Sequence, residues 1–234
     1  MTGEQSHPLF AALYDPVLWV VERTVLYPHR KYLVQDLDGR VLDLGAGTGA
    51  MFPLFDKAIE SNRSIEFHAI EPDPHMQRRA RDRADALDLD VKIRPERAES
   101  LPYPDDSFDV VIASMVFCTI TDVDAAVGEV VRVLKPGGEF RFLEHVADDG
   151  WRRRVQDLLA PMWKRAAGGC HLTRRTPSTF VRAEAFDVIE LERLSIGVTP
   201  VRPFVRGRFY RRRLVDSHPL GTVGTETNTL KVES

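Results

Sequence analysis

Nine consecutive residues, Val41 to Gly49 (Val-Leu-Asp-Leu-Gly-Ala-Gly-Thr-Gly), restrict the fold of this chain more than any other stretch. The run from Arg40 to Leu44 is short and apolar, as a buried parallel strand requires. Gly45, Gly47 and Gly49 then lack the Cβ atoms that would keep a ligand away from backbone. With Ala50 counted, Gly45-x-Gly47-x-x-Ala50 also meets the dinucleotide fingerprint, in which a pyrophosphate rests on the next helix's N-terminus. Asp43 discriminates between ligands. A carboxylate before the turn would repel a pyrophosphate but attract the ammonium of an amino-acid-like group.

With 234 residues, the chain suits one large α/β domain and a small cap. We expect a helical region over 1–39, a catalytic core over 40–213 with a cap near 151–180, and a disordered polar tail over 214–234. A net charge of −3 gives no general attraction to nucleic acid. The basic run Arg206 to Arg213 is expected to be a solvated edge strand. Cys118 and Cys170, the two cysteines, stand far apart in a chain where we read no secretory leader, so neither a disulfide framework nor a zinc site is expected. The expected metal complement is none and the expected compartment a reducing cytoplasm. Val17 to Val21 is too short an apolar run to cross a bilayer, which leaves peripheral membrane contact.

Periodicity supplies the remaining elements. Phe10, Leu13, Tyr14, Leu18, Val21 and Val25 recur at helical spacing within Pro8 to Leu33. Ala50 to Glu60 reads as a helix, Ser64 to Ile70 as a strand, and a helix begins at Asp73 or Pro74 and ends near Leu87. Val91 to Arg94 and the apolar run Phe108 to Ala113 are strands. Asp122 caps a helix through Leu134, which Lys135-Pro136-Gly137-Gly138 stops. Glu139 to Val146 is a fifth strand. Trp151 to Arg165 reads as a helix with Val155, Leu158, Leu159, Met162 and Trp163 on an apolar face, kinked at Pro161. Gly168 to Phe180 is turn-rich, and Phe186 to Ile196 with Val201 to Tyr210 form an antiparallel edge pair.

Asp43-Leu-Gly-Ala-Gly-Thr-Gly, Glu71 after the second strand, Leu101-Pro-Tyr-Pro-Asp-Asp-Ser-Phe-Asp109 and Val133-Leu-Lys-Pro-Gly-Gly138 occur in the order found in class I S-adenosylmethionine-dependent methyltransferases, which this chain resembles. The resemblance is strong over Arg40 to Val146. It implies a Rossmann-like three-layer αβα sandwich whose seven-stranded sheet is mostly parallel with an antiparallel last strand. It also implies S-adenosylmethionine as methyl donor, S-adenosylhomocysteine as product and a small-molecule partner. Phe142-Leu-Glu-His-Val146 with Gly169-Cys-His-Leu-Thr-Arg174 resembles the branch that includes the microsomal alkyl-thiol methyltransferases. That branch carries an N-terminal anchor not read here, and usually a cysteine where this chain has Ala46.

On that resemblance, Asp43, Gly45, Ala46, Gly47, Thr48 and Gly49 face the donor, and Glu71 takes its ribose hydroxyls. Pro72 and Met76 lie by the adenine. Arg97 replaces the Asp that many relatives use there, which leaves the backbone of Ala98 and Glu99. Ser114 meets the methionine part. Tyr14, Phe117, Cys118, Cys170 and Arg174 are candidate acceptor contacts, and Cys118 also reads as a plain buried wall residue. Arg174 and Arg175, if they face inward, suit an anionic acceptor. Methyl transfer needs alignment and the removal of one proton. His145 is the first candidate base or orienter and His171 the second, while Glu144 should alternate to the other sheet face and pair with a helix residue. A thiol is the leading acceptor, ahead of a phospholipid amine or a quinone-type ring carbon. A nicotinamide-dependent oxidoreductase and a non-catalytic cofactor-binding module remain as readings from other classes.

Overall fold

A computed structural model describes residues 25–62, 64–197 and 199–213. Tyr14, the helical stretch from Phe10 to Val21 and the 214–234 tail therefore lie outside the described residues. The elements in chain order are α1 (Tyr27–Leu33), β1 (Arg40–Leu44), α2 (Phe52–Ser61), β2 (Glu66–Ile70), α3 (Pro74–Ala86), β3 (Val91–Arg94) and β4 (Phe108–Ser114). They continue with α4 (Val123–Val133), β5 (Leu134–His145), α5 (Gly150–Ala166), α6 (Thr176–Arg182), β6 (Phe186–Leu194) and β7 (Phe204–Arg211). Among the described residues, no helix is long and apolar enough to cross a membrane.

The strands form one seven-stranded sheet in the order β3-β2-β1-β4-β5-β7-β6. Pairing is parallel from β3 to β5, and β7 runs antiparallel to both β5 and β6. Alternation divides the core between the two faces. From β4, Val111 and Ala113 join Phe140, Phe142 and α4's Val127 and Val130 on one side. Val110 and Ile112 join Phe52, Phe55, Ala80 and Ala84 from α2 and α3 on the other. The three-layer sandwich and its single antiparallel strand agree with expectation.

Local chemistry sets several boundaries. Asp73 caps α3 by accepting from the backbone N–H groups of His75 and Met76, and Asp122 caps α4 by accepting from Ala125 N. Lys135 to Gly138 does end α4, but the chain there already pairs with β4 through an irregular register. Lys135 Nζ binds the Asp109 carboxylate at 2.7 and 2.8 Å. A Cβ on Gly138 would stand 2.9 Å from the Lys135 carbonyl and 3.0 Å from that of Asp109, so this crossing needs glycine.

Three expectations are corrected. The basic run is not an edge, because β7 lies between β5 and β6, where Arg208 pairs with Glu139 at 2.7 Å and Arg206 with Glu190 at 3.2 Å. Carboxylates on both neighbouring strands draw it inward. The apolar face of α5 does not bury as a face, since Leu158 is 79% exposed and Met162 and Trp151 are each 64% exposed. A polar residue anchors the helix instead: buried Gln156 accepts from Asp148 N and donates to the carbonyls of Val146, Pro200 and Arg202. Finally, the turn-rich segment closes with helix α6, whose Phe180 enters the aromatic core.

Candidate active site

The sheet order makes β1 and β4 neighbours while β2 leaves to the other side, and ligands in open α/β sheets bind at such a switch, beyond the strands' carboxyl ends. Gly45, at φ 73°, could not carry a Cβ, which would meet a Val116 methyl at 2.6 Å. The loop after β4 thus closes directly on the glycine turn. Gly47, at φ 58°, faces open space, with nothing within 4 Å of where its Cβ would be. Thr48 and Ala46 are buried beside it.

Two acidic groups flank this opening. Asp43 is 1% exposed, and its Oδ2 is buried with no hydrogen-bond partner. Burial pushes its pKa up to about 7, against the pull of the Arg30 charge and with a further push from Glu71. Glu71, just past β2, accepts from Gly47 N at 2.8 Å and from Asp73 N at 2.9 Å. Burial raises its pKa too, partly opposed by those two N–H groups. Arg30 was missed in the sequence. This buried arginine of α1 donates from Nε to Ser114 Oγ at 3.0 Å, at the end of β4. It sits among apolar residues at helical spacing, and a charge there was the available signal.

The pocket chemistry fits S-adenosylmethionine. An orphaned buried carboxylate oxygen at Asp43 suits its ammonium, Arg30 its carboxylate and Glu71 its ribose hydroxyls. Met76 is buried outside both main apolar clusters, whereas Pro72 is exposed and Ala98 belongs to the core. The Glu99 side chain is committed elsewhere: its Oε1 accepts from Arg97 Nη2 and from the N–H groups of Thr121 and Asp122 at the start of α4. The departure at Arg97 therefore has a structural role.

Beyond Ser114, Met115 holds φ 65°, an uncommon conformation for a non-glycine residue, and turns the chain across the crevice. Glu144 fixes this loop. Its Oε1 accepts from Val116 N at 2.8 Å and Phe117 N at 3.0 Å, so its partner is loop backbone and not a helix residue. Phe117 is no acceptor wall, because its ring packs on Phe180 at 4.7 Å within the core. Arg174 does not reach inward for an acceptor either. Its Nη1 donates to the carbonyls of Phe117 and Ile120, clamping the same loop. Arg175 is exposed beside Asp149.

His145, the last residue of β5, is fully buried with Nε2 3.0 Å from Cys170 Sγ. Cys118 joins them, and the three ligand-type atoms lie within 4.8 Å of one another. The sequence distance that argued against a shared cysteine site is removed by folding: β4 and β5 are neighbours, and His171 N donates to the Cys118 carbonyl at 2.8 Å. The Cys118 thiol, and then His145 against the effect of burial, lowers the Cys170 pKa, and Cys118 is raised in turn by Cys170 and burial. Burial opposes protonation of His145, but the Cys170 sulfur outweighs it and raises the pKa. His171 is lowered by burial and by Arg174 and Lys164.

Comparison with known proteins agrees with this geometry. Residues 42–142 match the family model described as a methyltransferase domain. The chain is 30% identical to thiol S-methyltransferase TMT1B of Rattus norvegicus over 188 residues, covering 75% of this chain and 74% of the relative. It is 31% identical to a phosphatidylethanolamine N-methyltransferase of Cereibacter sphaeroides over 125 residues, 52% of this chain and 59% of the relative. An S-adenosylmethionine-dependent methyltransferase structure from Methanosarcina mazei superposes with a TM-score of 0.62 at 19% identity, covering 80% of this chain and 98% of its own. Strand order, donor pocket and relatives converge, and the chain belongs to the class I S-adenosylmethionine-dependent methyltransferases.

Proposed function

We propose that the methyl acceptor is a small, partly apolar thiol. The observation that carries this reading is the group formed by Cys118, His145 and Cys170 two residues past Val116, which covers the glycine turn. The similarity to a thiol S-methyltransferase over three quarters of the chain supports it. When bound, S-adenosylmethionine supplies a methyl group already activated on a sulfonium sulfur. Asp43, Arg30 and Glu71 would hold it by its ammonium, carboxylate and ribose. The remaining task is to orient the acceptor in line and remove its proton. His145 against Cys170 would serve as the positioning residue for the acceptor and Glu144 holds the adjacent loop, while the proton passes to solvent.

A phospholipid or quinone-type acceptor is the second reading. The exposed Trp151, Leu158 and Met162 of α5, beside the arginines at 152–154, suit contact with a lipid surface, and a phosphatidylethanolamine N-methyltransferase is among the relatives. One experiment separates the readings: labelled S-adenosylmethionine is supplied with pooled thiols, phenols, amines and lipids, and the labelled product is identified by mass. A labelled thioether supports the thiol reading; label only in lipid or quinone overturns it.

A further inference from the structure

We propose that Cys118, His145 and Cys170 form a metal site that binds one Zn2+ per chain. Two thiols and an imidazole are the donor set of borderline-soft ions, and Cys2His with a fourth position left open is an established zinc arrangement. The spacing is within reach. Donors bound to one tetrahedral Zn2+ at about 2.0–2.3 Å stand about 3.5–3.8 Å apart. Here His145 Nε2 and Cys170 Sγ are 3.0 Å apart and all three donor atoms fall within 4.8 Å, so side-chain shifts on the order of 1 Å complete the site.

A second observation points the same way. Glu144 is fully buried, one residue before His145, and its Oε2 has no partner, although Oε1 is satisfied by two backbone N–H groups. A buried oxygen left without a donor is costly, and a cation held by the two sulfurs and the imidazole of the next residue would relieve that cost. The ion would also fasten the segment after α5 to the ends of β4 and β5, extending the clamp made by His171 N and Arg174. The inference holds whichever acceptor is methylated.

The test uses the full chain, purified reduced and equilibrated in a buffered micromolar Zn2+ solution, with bound metal measured after gel filtration. Co2+ replaces Zn2+ in parallel to reveal thiolate-to-metal absorption. One equivalent per chain is expected, with both thiols protected from alkylation. Cys118→Ser, His145→Ala and Cys170→Ser should each weaken binding more than about 100-fold, beyond what outer partners of a metal contribute. Cys170→His, which retains a donor, should restore it, and His75→Ala should leave it unchanged. S-adenosylhomocysteine binding confirms that each variant is folded. A folded, reduced wild-type chain without tight Zn2+, retention of the ion by Cys170→Ser, or a Cys118–Cys170 disulfide formed in preference to metal binding would overturn the proposal. Turnover is not among these readouts, so the acceptor assignment and the metal site stand or fall separately.

Discussion

Donor binding should strengthen with pH around neutrality, and Asp43 is the reason. Burial lifts its pKa from 3.8 to about 7, while Arg30 on α1 pulls it down and Glu71 beyond β2 pushes it up. A carboxyl group with a raised folded-state pKa holds its proton where the unfolded chain has already lost it. The ligand-free protein therefore loses stability as pH rises from about 4 to about 7, and the full penalty is present above 7. At 1.36 kcal/mol per unit, a shift of about 3 units amounts to about 4 kcal/mol. An ammonium brought to the unpartnered Oδ2 recovers part of that penalty. Below pH 7, proton removal must accompany binding, so the Kd for S-adenosylhomocysteine should fall about tenfold for each pH unit gained up to about 7 and level off above pH 8. Asp43→Asn should flatten this profile and weaken binding at pH 8 by about 1.5–3 kcal/mol, the value of a charged hydrogen bond. The same variant without ligand should be more stable than wild type at pH 8, because no buried charge remains to be formed. Calorimetric titration from pH 6 to 8.5, with thermal unfolding of both proteins, measures all three. A flat wild-type profile, or unchanged affinity in the variant, would refute the reasoning.

Other outcomes follow from single contacts. Arg30→Met should weaken the donor by about 1.5–3 kcal/mol through loss of a charged partner for its carboxylate, with far-UV dichroism unchanged. Gly207→Ala places a Cβ 2.2 Å from Phe142 Cζ and should cost about 2 kcal/mol, read as a Tm lower by about 6 °C. Glu139→Gln unpairs Arg208 and the fully buried Arg141, and should destabilise by about 3 kcal/mol in urea unfolding. Burial alone would raise Glu139, but Arg208 and Arg141 hold it down at about 2, so the wild type loses this stabilisation as pH falls from 4.5 towards 2 and the variant has none to lose. His145→Ala should lower kcat for a thiol acceptor more than it changes donor affinity; equal kcat would remove it from the mechanism.

The sequence by itself determined most of the elements and the methyl donor. Val91 to Arg94 matches β3 end for end, and Asp73 and Asp122 cap the helices their positions announced, because capping and periodicity act over a few residues. Asp43 within β1, Gly47 in the turn after it and Glu71 just past β2 were singled out for the same reason: each has a place along its strand that the βα unit fixes. Tertiary structure decided what depends on which strands become neighbours. Lateral pairing placed the arginines of β7 inside the sheet, against carboxylates of β5 and β6 that no local pattern identifies. The apolar stripe of α5 promised burial, yet Gln156 is what is buried, because the segment just before the helix and the distant turn at Pro200 and Arg202 bring an N–H and three carbonyls together there. Arg30 reaches Ser114 across 84 residues of sequence. Cys118, His145 and Cys170 meet because adjacent strands end side by side and a returning segment is clamped over them, a coincidence set by long-range burial and hydrogen bonding that local spacing does not encode.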